Sequence, residues 1–313
     1  MPKAYVTNTD SDDISVVDLD LLKEVDRISI GGSPRGAVKF DSQKNFGYVS
    51  NCAGNTISVI DLNRDREVSK ITVGLSPRGL AISADGKSAY VSNSGENTLS
   101  VVDLVARKEI AKIAMGENPR HMALLPRVNK LLVAQWGSDS VANIDIPTDA
   151  DSLSPLRAVS VGGGSRPYSL TATQDGLRAY VANTQADYLS VLDVQRGSEV
   201  TRINIGFGGR AVVLSKDEKF AFASVENSNE LVVINTISDS VVKRLEIGPS
   251  PRGIAMSHDL GILGGGTFTR SNSSFGDAAR NSLALVDVKD PLNATVIGHV
   301  KVGLGPCSVS VLE

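Results

Sequence analysis

The chain has 313 residues, with 32 Lys and Arg against 35 Asp and Glu and a formal net charge of −3. That balance disfavours bulk nucleic-acid binding, and no run approaches the ~18 apolar residues of a membrane-spanning helix. The two cysteines, Cys52 and Cys307, lie far apart and fit neither a disulfide framework nor a zinc or redox spacing, so no metal and no cofactor is expected. The N-terminus enters patterned sequence by Ala4 with no signal-peptide core. These readings predict a soluble, cytoplasmic protein that meets neither nucleic acid nor membrane.

In chain order, Lys3 to Asn8 alternates like a strand, and Ser33-Pro34-Arg35-Gly36 then opens a motif that organises the rest. It returns as Ser76-Pro77-Arg78-Gly79 and Ser250-Pro251-Arg252-Gly253, with weaker copies at Asn118-Pro119-Arg120-His121, Arg166-Pro167-Tyr168-Ser169, Gly208-Gly209-Arg210-Ala211 and Gly305-Pro306-Cys307-Ser308. The register residue therefore falls at 35, 78, 120, 168, 210, 252 and 307, and a recurring period of this size signals a repeat architecture. Within the repeat around Arg78, strands are predicted from Arg78 to Ser83, Ser88 to Asn93, Thr98 to Asp103 and Glu109 to Met115, joined by Asp-Gly or Asn/Gly-rich turns. Four short strands with no helical periodicity between them describe an antiparallel sheet that cannot bury both faces alone. Seven such sheets around an axis form an all-β, seven-bladed β-propeller, read here as a single domain over 1–313.

The chain begins in a second strand and stops in a first strand, Cys307 to Leu312. The C-terminal strand is thus expected to pair with the N-terminal blade and close the ring, which removes open sheet edges. Numbering that closing blade as one, blade four carries six extra residues after Asp145, around Pro147 to Pro155, and blade seven carries ten extra between its second and third strands. The latter insertion, 264–281, with Phe268, Arg270, Phe275 and Arg280 among Gly, Ser and Asn, reads as a cover for one end of the axis. Aspartates 18, 61, 103, 145, 193 and 287 end third strands, at the face opposite the register residues, and are expected to cap turns.

Tyr5-Val6-Thr7-Asn8, Tyr48-Val49-Ser50-Asn51, Tyr90-Val91-Ser92-Asn93 and Tyr180-Val181-Ala182-Asn183, each followed by an Ile/Leu-Ser-Val-x-Asp strand, resemble the YVTN β-propeller repeat family, shared by archaeal surface-layer proteins and many bacterial proteins. The resemblance implies the propeller over essentially the whole chain and leaves function open, because the fold hosts structural, binding and catalytic roles. The pattern breaks at Leu132-Val133-Ala134-Gln135, Phe222-Ala223-Ser224-Val225 and Gly264-Gly265-Gly266. Repeats of that family vary at the position after proline, so arginine in five of seven blades exceeds what the fold requires.

The register places Arg35, Arg78, Arg120, Arg210 and Arg252 with Tyr168 and Cys307 around one mouth of the axis, and Arg166 just before the blade-five proline. Like charges so gathered repel unless an anion answers them, and guanidiniums hold carboxylate or phosphate through forked hydrogen bonds. Trp136 and Glu226 lie in loops on the same face, which predicts a funnel for a small anionic ligand, carboxylate or phosphorylated. His121 with Tyr168 would be the proton-transfer pair, and Cys307 between Arg252 and Arg35 a candidate nucleophile. The chemistry expected on that basis is that of a metal-independent hydrolase, lyase or cycloisomerase. The competing expectation is a non-catalytic interaction or surface-layer-like structural propeller, its arginines turned sideways between blades, Cys307 merely packed and a protein as the partner.

Overall fold

The computed structural model describes residues 1–146, 157–268 and 279–313. Over these the chain forms seven antiparallel sheets of four strands each, the seven-bladed propeller that the repeat predicts. Blade three is typical, with strands Pro77–Ile82, Ser88–Asn93, Thr98–Asp103 and Lys108–Ala114, each close to its expected bounds. First strands of successive blades touch one another and so surround the axis.

The pattern of burial explains the stacking. Second and third strands are buried along nearly their whole length, whereas the fourth strand of blade three alternates exposed and half-buried residues at the rim. Each blade therefore offers two apolar faces. Tyr48, Ile57 and Ile71 of blade two interlock with Leu80, Val91 and Val102 of blade three, and comparable clusters fill the other six blade boundaries. Burying each large aliphatic side chain stabilises the ring by about 1.5–3 kcal/mol relative to leaving it exposed.

The polar letters of the repeat hold this stack in place. Asn51 Nδ2 donates to Thr56 Oγ1 at 3.1 Å and Ser58 Oγ at 2.7 Å, and Asn93 does the same to Thr98 and Ser100, so the motif asparagine pins the hairpin that follows it. The motif serine reaches the next blade: Ser92 Oγ donates to the Arg120 carbonyl and Ser224 Oγ to the Arg252 carbonyl, both at 2.6 Å. Glycine after the register arginine is required by the same close approach. A Cβ on Gly79 would lie 2.3 Å from the Arg120 carbonyl oxygen, and one on Gly253 would lie 2.5 Å from Ser308 Cα. Aspartates 18, 61, 103, 193 and 287 cap turns as expected, Asp103 for example accepting the Val105 and Ala106 amides, whereas Asp145 pairs with Lys130.

The C-terminal strand Pro306–Leu312 pairs with Lys3–Asn8, Tyr5 opposite Ser310, and closes blade one. Two expectations are corrected. Blade two has no continuous first strand: Pro34 makes one bridge to Asn51 and pairing resumes only at Lys39–Phe40. In blade seven the second strand runs Ile262–Thr267, so the insertion starts after Thr267 rather than at Gly264; the three glycines pair opposite Leu283–Leu285, and Leu283 occupies the space a Cβ on Gly264 would need. Arg270 and Phe275 of that insertion, and the blade-four extra residues around Pro147 to Pro155, lie outside the described residues. Among the described residues no helix is long and apolar enough to cross a membrane.

Candidate functional site

Where the first strand of a blade starts, its ladder slips. The pairing register shifts between Pro77 and Leu80, Pro119 and Met122, Pro167 and Ser169, Gly209 and Ala211, and Pro251 and Ile254, and blade one shifts across Cys307. A bulge re-aims the side chain it carries, and in every one of these blades the register residue sits in it. That device turns Arg78, Arg120, Tyr168 and Arg210 towards a cavity of about 310 Å³ at the mouth of the axis, with Arg35 beside them. Trp136 and Glu226 complete the expected lining, and Thr184, Gln185, Phe207 and Asn227 join them.

The guanidiniums are stacked on aromatic rings. Arg166 lies 4.7 Å from the Trp136 ring, Arg120 stands between Trp136 at 5.1 Å and Tyr168 at 5.3 Å, and Arg210 covers Tyr168 at 3.8 Å. Cation and ring thus alternate from Arg166 through to Arg210, which offsets part of the mutual repulsion. Stacking occupies the flat faces of these groups and leaves their edges, where the N–H donors are, for other partners.

Carboxylates answer only one side. Glu226 lies 3.5 Å from Arg210 and 3.4 Å from Arg252 and accepts a 2.9 Å bond from the Ser250 hydroxyl. Burial by itself would raise the Glu226 carboxyl, but Arg210 and Arg252 outweigh it and hold the group below the usual carboxylate range. Among the described residues no carboxylate pairs with Arg35, Arg78 or Arg120. Arg78 Nε, Arg120 Nε and the Tyr168 hydroxyl are buried with no hydrogen-bond partner, in side chains of which Arg120 is 9% and Tyr168 5% exposed. Arg120 is pushed down to about 10 by burial and by Arg78, Arg210 and Arg35, so it still carries its charge at neutral pH.

Four expected site residues lie off this cavity. Arg166 turns outward, its guanidinium donating to the Trp136 carbonyl at 3.3 Å and the Gly137 carbonyl at 3.0 Å. Arg252 sits behind Glu226 and stacks on Phe268 at 3.9 Å. Cys307 is buried in the closing strand, 4% exposed. His121 points down the axis into a second, larger cavity, its ring centroid 5.1 Å from that of Tyr168. Burial, then the charges of Lys39, Arg210, Arg120 and Arg78, push the imidazole down to about 3, so it is neutral at pH 7 and a weak base. No group of three or more His, Cys, Asp or Glu among the described residues could hold a metal ion.

The family model of the cytochrome D1 heme domain matches residues 4–145, just under half of the chain. No curated protein matches it. Similar solved structures include hydrazine synthase of Kuenenia stuttgartiensis (18% identity, 89% of this chain and 95% of that one, TM-score 0.75). A protein from Lactobacillus plantarum matches over 100% of both chains at 17% identity with a TM-score of 0.83. The dihydro-heme d1 dehydrogenase NirN, in complex with DHE, matches at 14% identity over 98% of this chain and 74% of that one, with a TM-score of 0.68. Likenesses at these identities establish a shared propeller fold and nothing finer.

Proposed function

We propose that the cavity at the mouth of the axis binds a small organic anion carrying at least two negative charges, as carboxylate or phosphate. One observation carries this reading: Arg35, Arg78 and Arg120 converge with no carboxylate to answer them among the described residues, while buried donor atoms on Arg78 and Arg120 have no partner. Leaving a buried donor unmade costs about 1–3 kcal/mol, and a ligand oxygen relieves that cost. Phe207, 46% exposed at the cavity rim, and Trp136 offer apolar surface to the body of such a ligand.

The heme domain match and the NirN neighbour raise a haem as ligand. The acidic edge of such a macrocycle suits the orphaned donors of Arg78, Arg120 and Tyr168. No histidine, cysteine or methionine is among the lining residues, so Tyr168, with its unpartnered hydroxyl, is the side chain of this lining that would hold a haem iron. The arginines fit the anionic groups of a ligand whether or not it carries a metal. Proton transfer to a bound ligand falls to Tyr168, whose ring walls the cavity, with arginines to stabilise developing negative charge; His121 lies behind it as a weak base. The expectation of sideways arginines describes Arg166 and Arg252 and leaves the three unpaired ones unexplained.

Isothermal titration at low salt with citrate, inorganic phosphate and acetate tests the proposal. Citrate is expected to bind the wild type at least tenfold more tightly than acetate, and an Arg78→Ala variant to lose most of that affinity. Absence of binding by all three, or equal binding by the variant, would overturn it.

A further inference from the structure

The second cavity lies on the same axis, beneath the arginines, with a volume of about 670 Å³. Its walls come from the repeat, which sets an apolar residue at one fixed position of nearly every blade. Four residues beyond each register residue stand Ile82, Leu124, Ala172, Leu214, Met256 and Val311, and all of them line this channel or the cavity that shares its wall. Blade two alone puts a lysine there, Lys39. One residue beyond the register, the other blades carry Gly, Ala or Ser, and blade four alone carries a histidine, His121. Both departures from the repeat thus open into one channel.

Nothing in the fold calls for the lysine. Among the described residues no carboxylate pairs with it, and its neighbours in the wall are Phe40, Met122 and Leu170. His121 faces it from blade four, and Lys39 is the charge that weighs most heavily on that imidazole; Lys216, Glu218 and His258 line the same cavity. The Ser310 hydroxyl, in a side chain 8% exposed on the channel wall, is buried without a partner. Burial with no counter-charge lowers the affinity of the Lys39 amine for its proton. An amine whose proton is held less tightly is the better nucleophile, suited to carbonyl compounds.

We propose that the channel is a second site, separate from the arginine cavity, in which the Lys39 amine condenses with the carbonyl of a small aldehyde or ketone. The neutral amine adds its nitrogen lone pair to the carbonyl carbon. The carbonyl oxygen then departs as water, taking both amine hydrogens, and leaves an imine between Lys39 Nζ and the ligand. His121, which faces Lys39, and the unpartnered Ser310 hydroxyl are two polar groups of the channel that can relay a proton or hold the departing oxygen.

Reductive trapping tests this. The protein is incubated with propanal and cyanoborohydride at pH 7, and labelling at each lysine is followed by peptide mass mapping. Propanal is uncharged, so the arginine cavity does not draw it. Lys39 is expected to label roughly fivefold or more faster than Lys108, an exposed lysine of the fourth strand of blade three away from the channel, as a desolvated amine does. Labelling of Lys39 no faster than Lys108 would overturn the proposal. Lys39→Met supplies the residue type that blade seven carries at this position and is expected to match or exceed the wild-type unfolding midpoint; a marked fall would instead make the lysine structural and count against the site. Arg78→Ala is expected to leave Lys39 labelling unchanged and Lys39→Met to leave citrate binding unchanged, so each proposal can fail without the other.

Discussion

The blade interfaces and the mouth of the axis are built from the same repeat and treat its residues in opposite ways. At an interface the motif's donors are used for architecture: the asparagine amide pins its hairpin, serine holds the next blade's carbonyl, and glycine makes room for that carbonyl, while the Asn51 and Asn93 side-chain oxygens and the Tyr180 hydroxyl stay unpartnered. At the mouth the residue between proline and glycine carries its side chain away from this network. Arg120 stacks between two rings, yet its Nε has no partner. The backbone of the motif is spent on architecture and its arginine side chain is left over, which is where a function can be added to a repeat without disturbing it.

Breaking the interface side should have the largest effect. Gly79→Ala drives a Cβ into the Arg120 carbonyl and the His121 backbone, and its cost is expected at the upper end of the about 1–3 kcal/mol typical of overpacking. Gly163→Ala is the control, since a Cβ there meets nothing within 4 Å and a surface change of this kind stays within about 0.5 kcal/mol. Chemical denaturation of the two variants checks the contrast.

A smaller effect is expected where the two regions meet, at Glu226. Its folded carboxyl titrates below its unfolded value, so the stability it contributes is present above about pH 4.3 and is lost as pH falls through the folded value. Glu226→Gln is expected to lose about 1–2 kcal/mol at pH 7, because Arg210 and Arg252 lose their counter-charge. Midpoints measured from pH 7 to pH 3 should converge for variant and wild type as the medium becomes acidic. A constant gap across that range would show that Glu226 acts through packing.

Much of the interface side was legible in the sequence, because it is repetitive. The period, the strand bounds of blade three, the closing pair and the turn-capping aspartates all follow from residues that recur at fixed offsets. Side-chain directions at the axis were less legible. Strand alternation assigns faces in twos, and a bulge at every intact first strand breaks that count where the register residue stands. Arg252 and Arg210 therefore share Glu226 but not the cavity, and His121 falls on the channel side. Phe207 was missed because it sits where blade six departs from the proline motif, and Asn227 because it sits in the turn that follows Phe222-Ala223-Ser224-Val225, where the tyrosine-to-asparagine pattern breaks. Lys39 was within reach: a comparison of the residue four places beyond each register position singles it out.

The central claim is that Arg35, Arg78 and Arg120 are kept uncompensated for a ligand. Thermal unfolding of the wild type and an Arg35→Met/Arg78→Met variant, each with and without citrate, tests it most directly. The wild-type midpoint is expected to rise with citrate. The variant, relieved of two unpaired charges, is expected to unfold at or above the wild-type midpoint without citrate and to gain nothing from it. A variant that unfolds well below the wild type, together with a wild type that citrate leaves unmoved, would contradict the claim and make these arginines part of the architecture.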